Sequence, residues 1–579
     1  MPGPRFFLRV LFALMLLGAV RAEALEMRQV LWGFDGRVVP GRFNPVSVLM
    51  ANPGGAAFDG MLTFAPTLGY GGPRGAAYVQ PVFVGPGGER WVQFETFIGS
   101  GVEEFSVIWG RGAKEREVFD RQLPTGPPAC VWLVDASNAF ARPGAFKAFP
   151  DQLFPTTVAA TDGLDAVILD YAPRWEPARR AAFLDWLRRG GTVHLVHGAG
   201  GGLPVFTDTL AVLNGDGETV RVGAGQVVRH SVPRTELRPE TLLARGFPPR
   251  ELLTPQNPVV HNFEETLYQR LSSLTRPKVS WWILNSLTFL YIAVIGPVAW
   301  RMARRMDFRW SIAGFLGAVA LFGAAFSIVG RRGYGESQTV HSLSIARSLG
   351  GARWDVTQWL SAFATSSGQY TLTHAAPANL YATSASDDAA RGQIFNGKDG
   401  KFLADIPLFS SRVFTHRGVM QGDDLGTEVE KWETGQSQIS ALRIKPGPGF
   451  PKDVISVSAL CRGRLFTLAL RNGAWELGDS GTPLAEVFGR EKLQPLTYNN
   501  RYSISNTSPE DGLSVMLPLL QARALGAGEM SRQVSERALP PNQARLLIAA
   551  RAPAGFHMKG KGFGHENGVV LYVQDIFQP

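Results

Sequence analysis

Two apolar runs near the middle of the chain, residues 281–300 and 311–330, constrain its fold more than any other feature. Each holds about 20 residues, and a helix rising about 1.5 Å per residue then matches a hydrocarbon core of roughly 30 Å. Between them, "RMARRMDFR" sets Arg301, Arg304, Arg305 and Arg309 against the single acid Asp307. Short cationic loops stay on the cytoplasmic side, so the runs are expected to be two transmembrane helices joined by a cytoplasmic loop at 301–310. Both large flanking segments then lie outside the membrane. Trp281 and Trp282 mark the outer end of the first span, and Trp300 and Trp310 flank the loop as interfacial aromatics do. A buried hairpin in a soluble core is the alternative; two runs of full bilayer length, charged only where they connect, argue against it. Asn285 and Ser286 are expected to bond across to the second span, whose Gly314, Gly317 and Gly323 permit close approach. Neither span carries a charge, which argues against a transporter or channel.

The N-terminus agrees with export. In "MPGPRFFLRVLFALMLLGAVRAEA", Arg5 and Arg9 precede an apolar run from Val10 to Val20, and Val20-Arg21-Ala22 offers a small-residue cleavage site. Residues 1–22 therefore read as a secretory signal peptide, with an uncleaved anchor as the alternative. Arg5, Arg9 and Arg21 supply three of the nine excess positive charges, and the loop arginines less Asp307 supply three more. The remaining three spread over both flanking segments, so no basic face exists to bind nucleic acid. The two cysteines, Cys130 and Cys461, sit in separate apolar runs and read as buried free thiols without metal-ligand spacing.

With 579 residues the chain should split into three or four domains, and its 65 glycines and 39 prolines favour turn-rich β structure. Residues 23–125 alternate apolar and polar in short runs between Gly/Pro turns, as an immunoglobulin-like β-sandwich does. After "LPTGPP" come three continuous apolar runs, "ACVWLVD", "LDAVILD" and "TVHLVH", with a helix "EPARRAAFLDWLRRGG" between the last two. Pro177 suits that helix's first turn and Gly190 its end. Strand–helix–strand of these lengths is a βαβ unit, so residues 126–260 are expected to form a doubly wound α/β domain. Residues 261–280 read as a juxtamembrane helix and linker, and 331–579 as a β-rich domain with long loops at about 376–435. The expected fold class is thus multidomain α+β with a membrane hairpin.

Ligands of open parallel sheets bind beyond the strands' carboxyl ends. The three core strands end in Asp135, Asp170 and His197, which could converge as metal ligands or as an acid/base pair. The competing reading is that these groups only cap the loops that follow. His194 should face into the sheet's packing. The third strand runs into Gly198-Ala199-Gly200, a glycine elbow that could hold a nucleophile or, more weakly, cradle a phosphate. No H-E-x-x-H, Walker A loop or paired C-x-x-C is present, and no metal or other cofactor is expected.

"LDAVILDYAP…AAFLDWLRRGGTVHLVHGAGG" resembles the class I glutamine amidotransferase-like fold. With the order of parts around it, the chain is similar to bacterial two-span membrane proteins that carry such a domain outside the membrane. Those proteins tend to be encoded beside MoxR-type AAA ATPases and von Willebrand A or transglutaminase-like partners. The resemblance implies an elbow cysteine and a downstream His-Glu pair. Ala199 stands where that cysteine is expected, and His230, in "VVRHSVP", has no His-x-Glu around it. A methyl group cannot attack an amide or hold an acyl group, so amidotransferase activity is not expected. The resulting expectation is a scaffold or sensor of the bacterial inner membrane, with both large domains periplasmic and a protein or ligand bound outside. A hydrolase using Asp135, Asp170 and His197 is the alternative. Recognition of envelope polysaccharide is a third reading, with no aromatic stripe to support it.

Overall fold

The alternating runs of the N-terminal segment become strands in the computed structural model. It describes residues 25–579 apart from 69–70, 74, 100–103, 111–115, 120–122, 136–145, 199, 234–235, 239–262, 276–280, 331–336, 384–387, 436–438, 488–508, 515, 526–538 and 540–541. The signal-peptide segment and Ala199 thus lie outside the described residues. Glu26–Trp32, Arg42–Ala51 and Glu89–Ile98 form an antiparallel sheet that opposes Val46 to Phe94 and Val48 to Val92. These side chains pack on Leu62, Phe64, Phe105 and Val107 of a second sheet, giving the expected two-layer β core.

That second sheet does not end at residue 125. Beyond Ala76–Val84 it continues into Arg391–Phe395, paired in parallel, and then into Lys401–Ile406 and Gly368–Thr373. Leu360, Tyr381, Phe402 and Phe414 join Val46 and Phe64 in one buried cluster. The segments before and after the apolar hairpin therefore share a sheet and a core.

The expected loops at about 376–435 are strands instead: Ala378–Ala382, Arg391–Phe395, Lys401–Ile406, Ser410–Gln421 and Glu428–Thr434. Lys401–Ile406 buries Phe402, Ala404 and Ile406 and exposes Lys401 and Asp405, an alternation hidden by its charges. Ser410–Gln421 is polar yet buried because its groups find partners, as where His416 bonds Gln358 and Asn379 at 2.9 Å each. Ser410–Gln421 belongs to a thirteen-stranded sheet. The helix Phe263–Thr275 packs Leu267, Tyr268 and Leu271 with Leu517 and Leu520 against that sheet's Leu343 and Leu571.

Two helices, Trp282–Ala303 and Phe308–Val329, are long and apolar enough to cross a membrane. Their most apolar windows are 0% and 6% buried, whereas the core hairpin of a soluble domain would be covered. Pro297 has no N–H to donate, and the first helix widens into a π turn at Val294–Val298 around it. Asn285 and Ser286 do not bond across as expected: both face outward on the first helix. The helices meet instead through Tyr291 against Phe322 and Phe326, and through Met302 over Gly314.

The parallel unit has six strands, in spatial order Lys147–Pro150, Ala129–Val134, Leu164–Leu169, Thr192–His197, Gly225–Pro233 and Thr219–Val222. The first five run parallel and the last is antiparallel. Pro177–Arg188 is the α-helix expected from the sequence, and it buries Phe183, Trp186 and Leu187 on one sheet face with Val167 and Val193. Helices on both faces, as double winding requires, do not occur among the described residues. The opposite face carries the smaller cluster of Trp132, Ile168, Val196 and Leu237.

Candidate functional site

In chain order the first four strands of the parallel unit lie 2-1-3-4, so the winding reverses between Ala129–Val134 and Leu164–Leu169. A crevice at such a switch point is where open α/β sheets bind ligands. Asp135 and Asp170 follow those two strands directly, the first exposed and the second half-buried. Sequence reasoning missed two further groups here. Asp151 follows the edge strand, and its carboxylate accepts a 2.8 Å hydrogen bond from the Tyr171 hydroxyl. Burial raises the Asp151 carboxyl, the Tyr171 bond opposes that, and the Asp135 charge raises it further. Tyr171 is raised by burial first and then by the charges of Asp151, Asp135 and Asp170. The charges of all three carboxylates therefore reach the Tyr171 phenol, and that of Asp135 reaches Asp151. His197 closes the next strand half-buried. No three metal-binding side chains come together among the described residues.

The elbow after His197 is a turn closed on itself. Gly198 donates to the Gly202 carbonyl at 2.9 Å, and Gly201 donates to the Gly198 carbonyl at 3.0 Å. Both N–H groups are engaged, which leaves neither to cradle a phosphate. A Cβ on Gly198 would lie 2.5 Å from the Asp170 carbonyl oxygen, so only glycine lets the two strand ends approach this closely. Gly200 is exposed, and an added Cβ there would meet nothing within 4 Å. The thiols do not substitute for a nucleophile: burial pushes Cys130 up to about 12 and raises Cys461 as well. His194 is a packed core residue as expected, its Nδ1 3.0 Å from Nε2 of buried His230.

A cleft of about 300 Å³ lies at the edge strand, between Lys147–Pro150 and a wall that includes Leu31 and Trp91.

Buried charge fixes this unit on the C-terminal β domain. Arg189 donates to Asp162 at 2.7 Å and to Asp355 at 3.0 Å. Arg417 donates to Asp355 at 3.2 and 2.7 Å and also bonds Asp162, while Arg353 bonds Asp185 on the helix Pro177–Arg188. Burial alone would raise the Asp355 carboxyl, but Arg417 and then Arg189 hold it down at about 2.

No family model matches the chain, and no curated protein matches it in sequence. Solved structures that align with it include three. One is a Paenibacillus sp. cycloisomaltooligosaccharide glucanotransferase complexed with cycloisomaltoheptaose, at 16% identity and TM-score 0.14, over 25% of this chain. The chain spans only 20% of that enzyme's length. The Danio rerio Fcho1 Mu homology domain with bound Eps15 peptide aligns at 7% identity and TM-score 0.19, over 41% of this chain and 97% of that one. A beta-glucuronidase from glycoside hydrolase family 2 aligns at 9% identity and TM-score 0.14, over 97% of this chain and 62% of that one. Scores this low establish neither fold nor activity.

Proposed function

We propose that the chain is a membrane-anchored scaffold or sensor of the bacterial envelope. In this reading the apolar hairpin holds one rigid extracytoplasmic body that binds a protein or ligand. The observation that carries it is the pairing of Arg391–Phe395 with Ala76–Val84. A sheet built from chain on both sides of the hairpin requires both flanks to lie on one side of any membrane the helices cross. The arginine-rich loop then faces the opposite, cytoplasmic side. In this reading the parallel unit, with its helix Pro177–Arg188, serves as a non-catalytic amidotransferase-like module, and Ala199 supplies no nucleophile.

Cysteines introduced at exposed Leu470 and at Arg304 test the arrangement in intact cells. A membrane-impermeant maleimide is expected to label Leu470→Cys and leave Arg304→Cys unlabelled until the cells are lysed; equal labelling refutes it. Binding is tested by gentle detergent purification from native membranes. A stoichiometric partner kept by the Asp135→Ala, Asp170→Ala and His197→Ala triple variant supports a scaffold, whereas a protein that purifies alone counts against it.

The second reading, a hydrolase at the sheet's carboxyl edge, is favoured by the Tyr171–Asp151 hydrogen bond and by the charges of Asp135 and Asp170 that reach Tyr171. It requires Asp170→Asn to abolish hydrolysis with the fold intact, by about 100-fold or more for a lost acid/base group. On the scaffold reading Asp170→Asn leaves partner binding unchanged.

A further inference from the structure

Three parts of the molecule meet at Glu95. It lies on the strand Glu89–Ile98 opposite Pro45 and is 6% exposed. Thr157, from the turn that leads to the parallel strand Leu164–Leu169, donates its hydroxyl to Glu95 Oε1 at 2.8 Å. Asn396, from the segment beyond the hairpin, donates its Nδ2 to the Glu95 carbonyl at 2.7 Å. Glu95 Oε2 is buried with no hydrogen-bond partner. A carboxylate needs both oxygens solvated or bonded, so the charged form is poorly accommodated here.

Among the described residues no cation is bonded to Glu95. Arg42, on the neighbouring strand, donates to the Asp162 carbonyl at 2.8 Å, and the Asp162 carboxylate binds Arg189 and Arg417. The Tyr78 hydroxyl accepts from the Phe97 N–H at 3.2 Å, and the Tyr381 hydroxyl lies 2.9 Å from His374 Nδ1. On the same strand, Glu89 pairs with Arg28, and Arg90 donates to the Phe83 carbonyl. None of these bonds reaches Glu95.

The geometry points to a proton-controlled latch at this junction, closed while the Glu95 carboxyl is protonated and loosened when it ionises. Burial pushes that carboxyl up to about 7, against an ordinary 4.5, although the Thr157 bonds pull it down. The ionised group is far better solvated once the junction opens. Opening is therefore cheap above neutral pH and costly in acid. Acidification outside the membrane would tighten the contact between the β-sandwich and the parallel unit, and alkaline conditions would free it.

Hydrogen exchange on the full chain in lipid nanodiscs tests this, read over residues 93–98 and 157–162 and corrected for intrinsic rates. With the two values above, the opening equilibrium is expected to rise roughly 30-fold between pH 5.5 and 8. Glu95→Gln should remove that rise. Thr157→Val, which deletes the donor to the charged form, should move the midpoint to higher pH. A wild-type junction that ignores pH, or a Glu95→Gln variant that keeps the response, overturns the proposal. Should Glu95→Gln not fold, the Thr157→Val midpoint decides: an upward shift supports the latch and an unmoved one refutes it.

Discussion

Asp355→Ala is expected to destabilise the protein by about 3–5 kcal/mol, as breaking a buried ion pair from one side does. Asp355 accepts from both Arg189 and Arg417, and its side chain is fully shielded from solvent. Truncation leaves two guanidinium groups facing one remaining carboxylate, Asp162, inside the contact between the parallel unit and the C-terminal β domain. The cost is therefore mostly that of stranded charge, not of a lost attraction. Asp355→Asn keeps shape and one acceptor, and should cost less. Denaturant unfolding in detergent checks both variants. An Asp355→Ala loss below about 1 kcal/mol would mean that water reaches the cluster, as at an exposed ion pair.

The same residue predicts an acid limb. Its folded carboxyl sits at about 2, below the ordinary 3.8. A depressed carboxyl stabilises the fold above its unfolded value, and that contribution fades as pH falls through the folded one. Wild type should lose about 2 kcal/mol from this group between pH 4 and pH 2. Asp355→Asn should lack that component; an unchanged limb would assign it to other carboxyls.

Elements whose signal is local were legible in the sequence. Continuous apolar runs at Ala129–Val134, Leu164–Leu169 and Thr192–His197 marked central parallel strands, and Pro177 and Gly190 bracketed the helix between two of them. The two apolar helices declared themselves by length. Pairing at long range left no such mark. Arg391–Phe395 reads "RGQIF", too short and polar to stand out, and its partner lies some 315 residues earlier. Asp162, Arg189, Asp355 and Arg417 each look like ordinary surface charge, and only the tertiary contact makes them a buried set. At the candidate site, Asp135 and Asp170 were visible as strand-end acids. Asp151 was not, because the strand before it has four residues and no apolar run. Tyr171 had a signal, its place directly after a strand-end aspartate, but a lone tyrosine there does not announce which acid it will bond.

Gly392→Ala is expected to separate what the sheet joins, at a cost of about 3 kcal/mol or more. Gly392 stands opposite Ala76 on one side and Ala404 on the other, where the strands from before and after the hairpin meet. Its φ is +135°, and a Cβ there would lie 1.9 Å from the Leu403 carbonyl oxygen and 3.3 Å from the Ala404 Cα. No side-chain rotamer relieves a clash between a Cβ and a backbone oxygen. The backbone must shift, which breaks either the pairing with Lys401–Ile406 or the pairing with Ala76–Val84. Gly397→Ala supplies the control, because its φ of +111° is similarly unfavourable but nothing lies within 4 Å of the added methyl. That variant should cost only the conformational strain, about 1–2 kcal/mol. Hydrogen exchange separates the outcomes. Gly392→Ala should raise exchange across Ala76–Val84 as well as Arg391–Phe395, while Gly397→Ala should leave Ala76–Val84 protected. Equal effects from the two variants would mean that the joint yields without strand separation, and that the shared apolar core and the buried ion pairs hold the flanks together without this strand pairing.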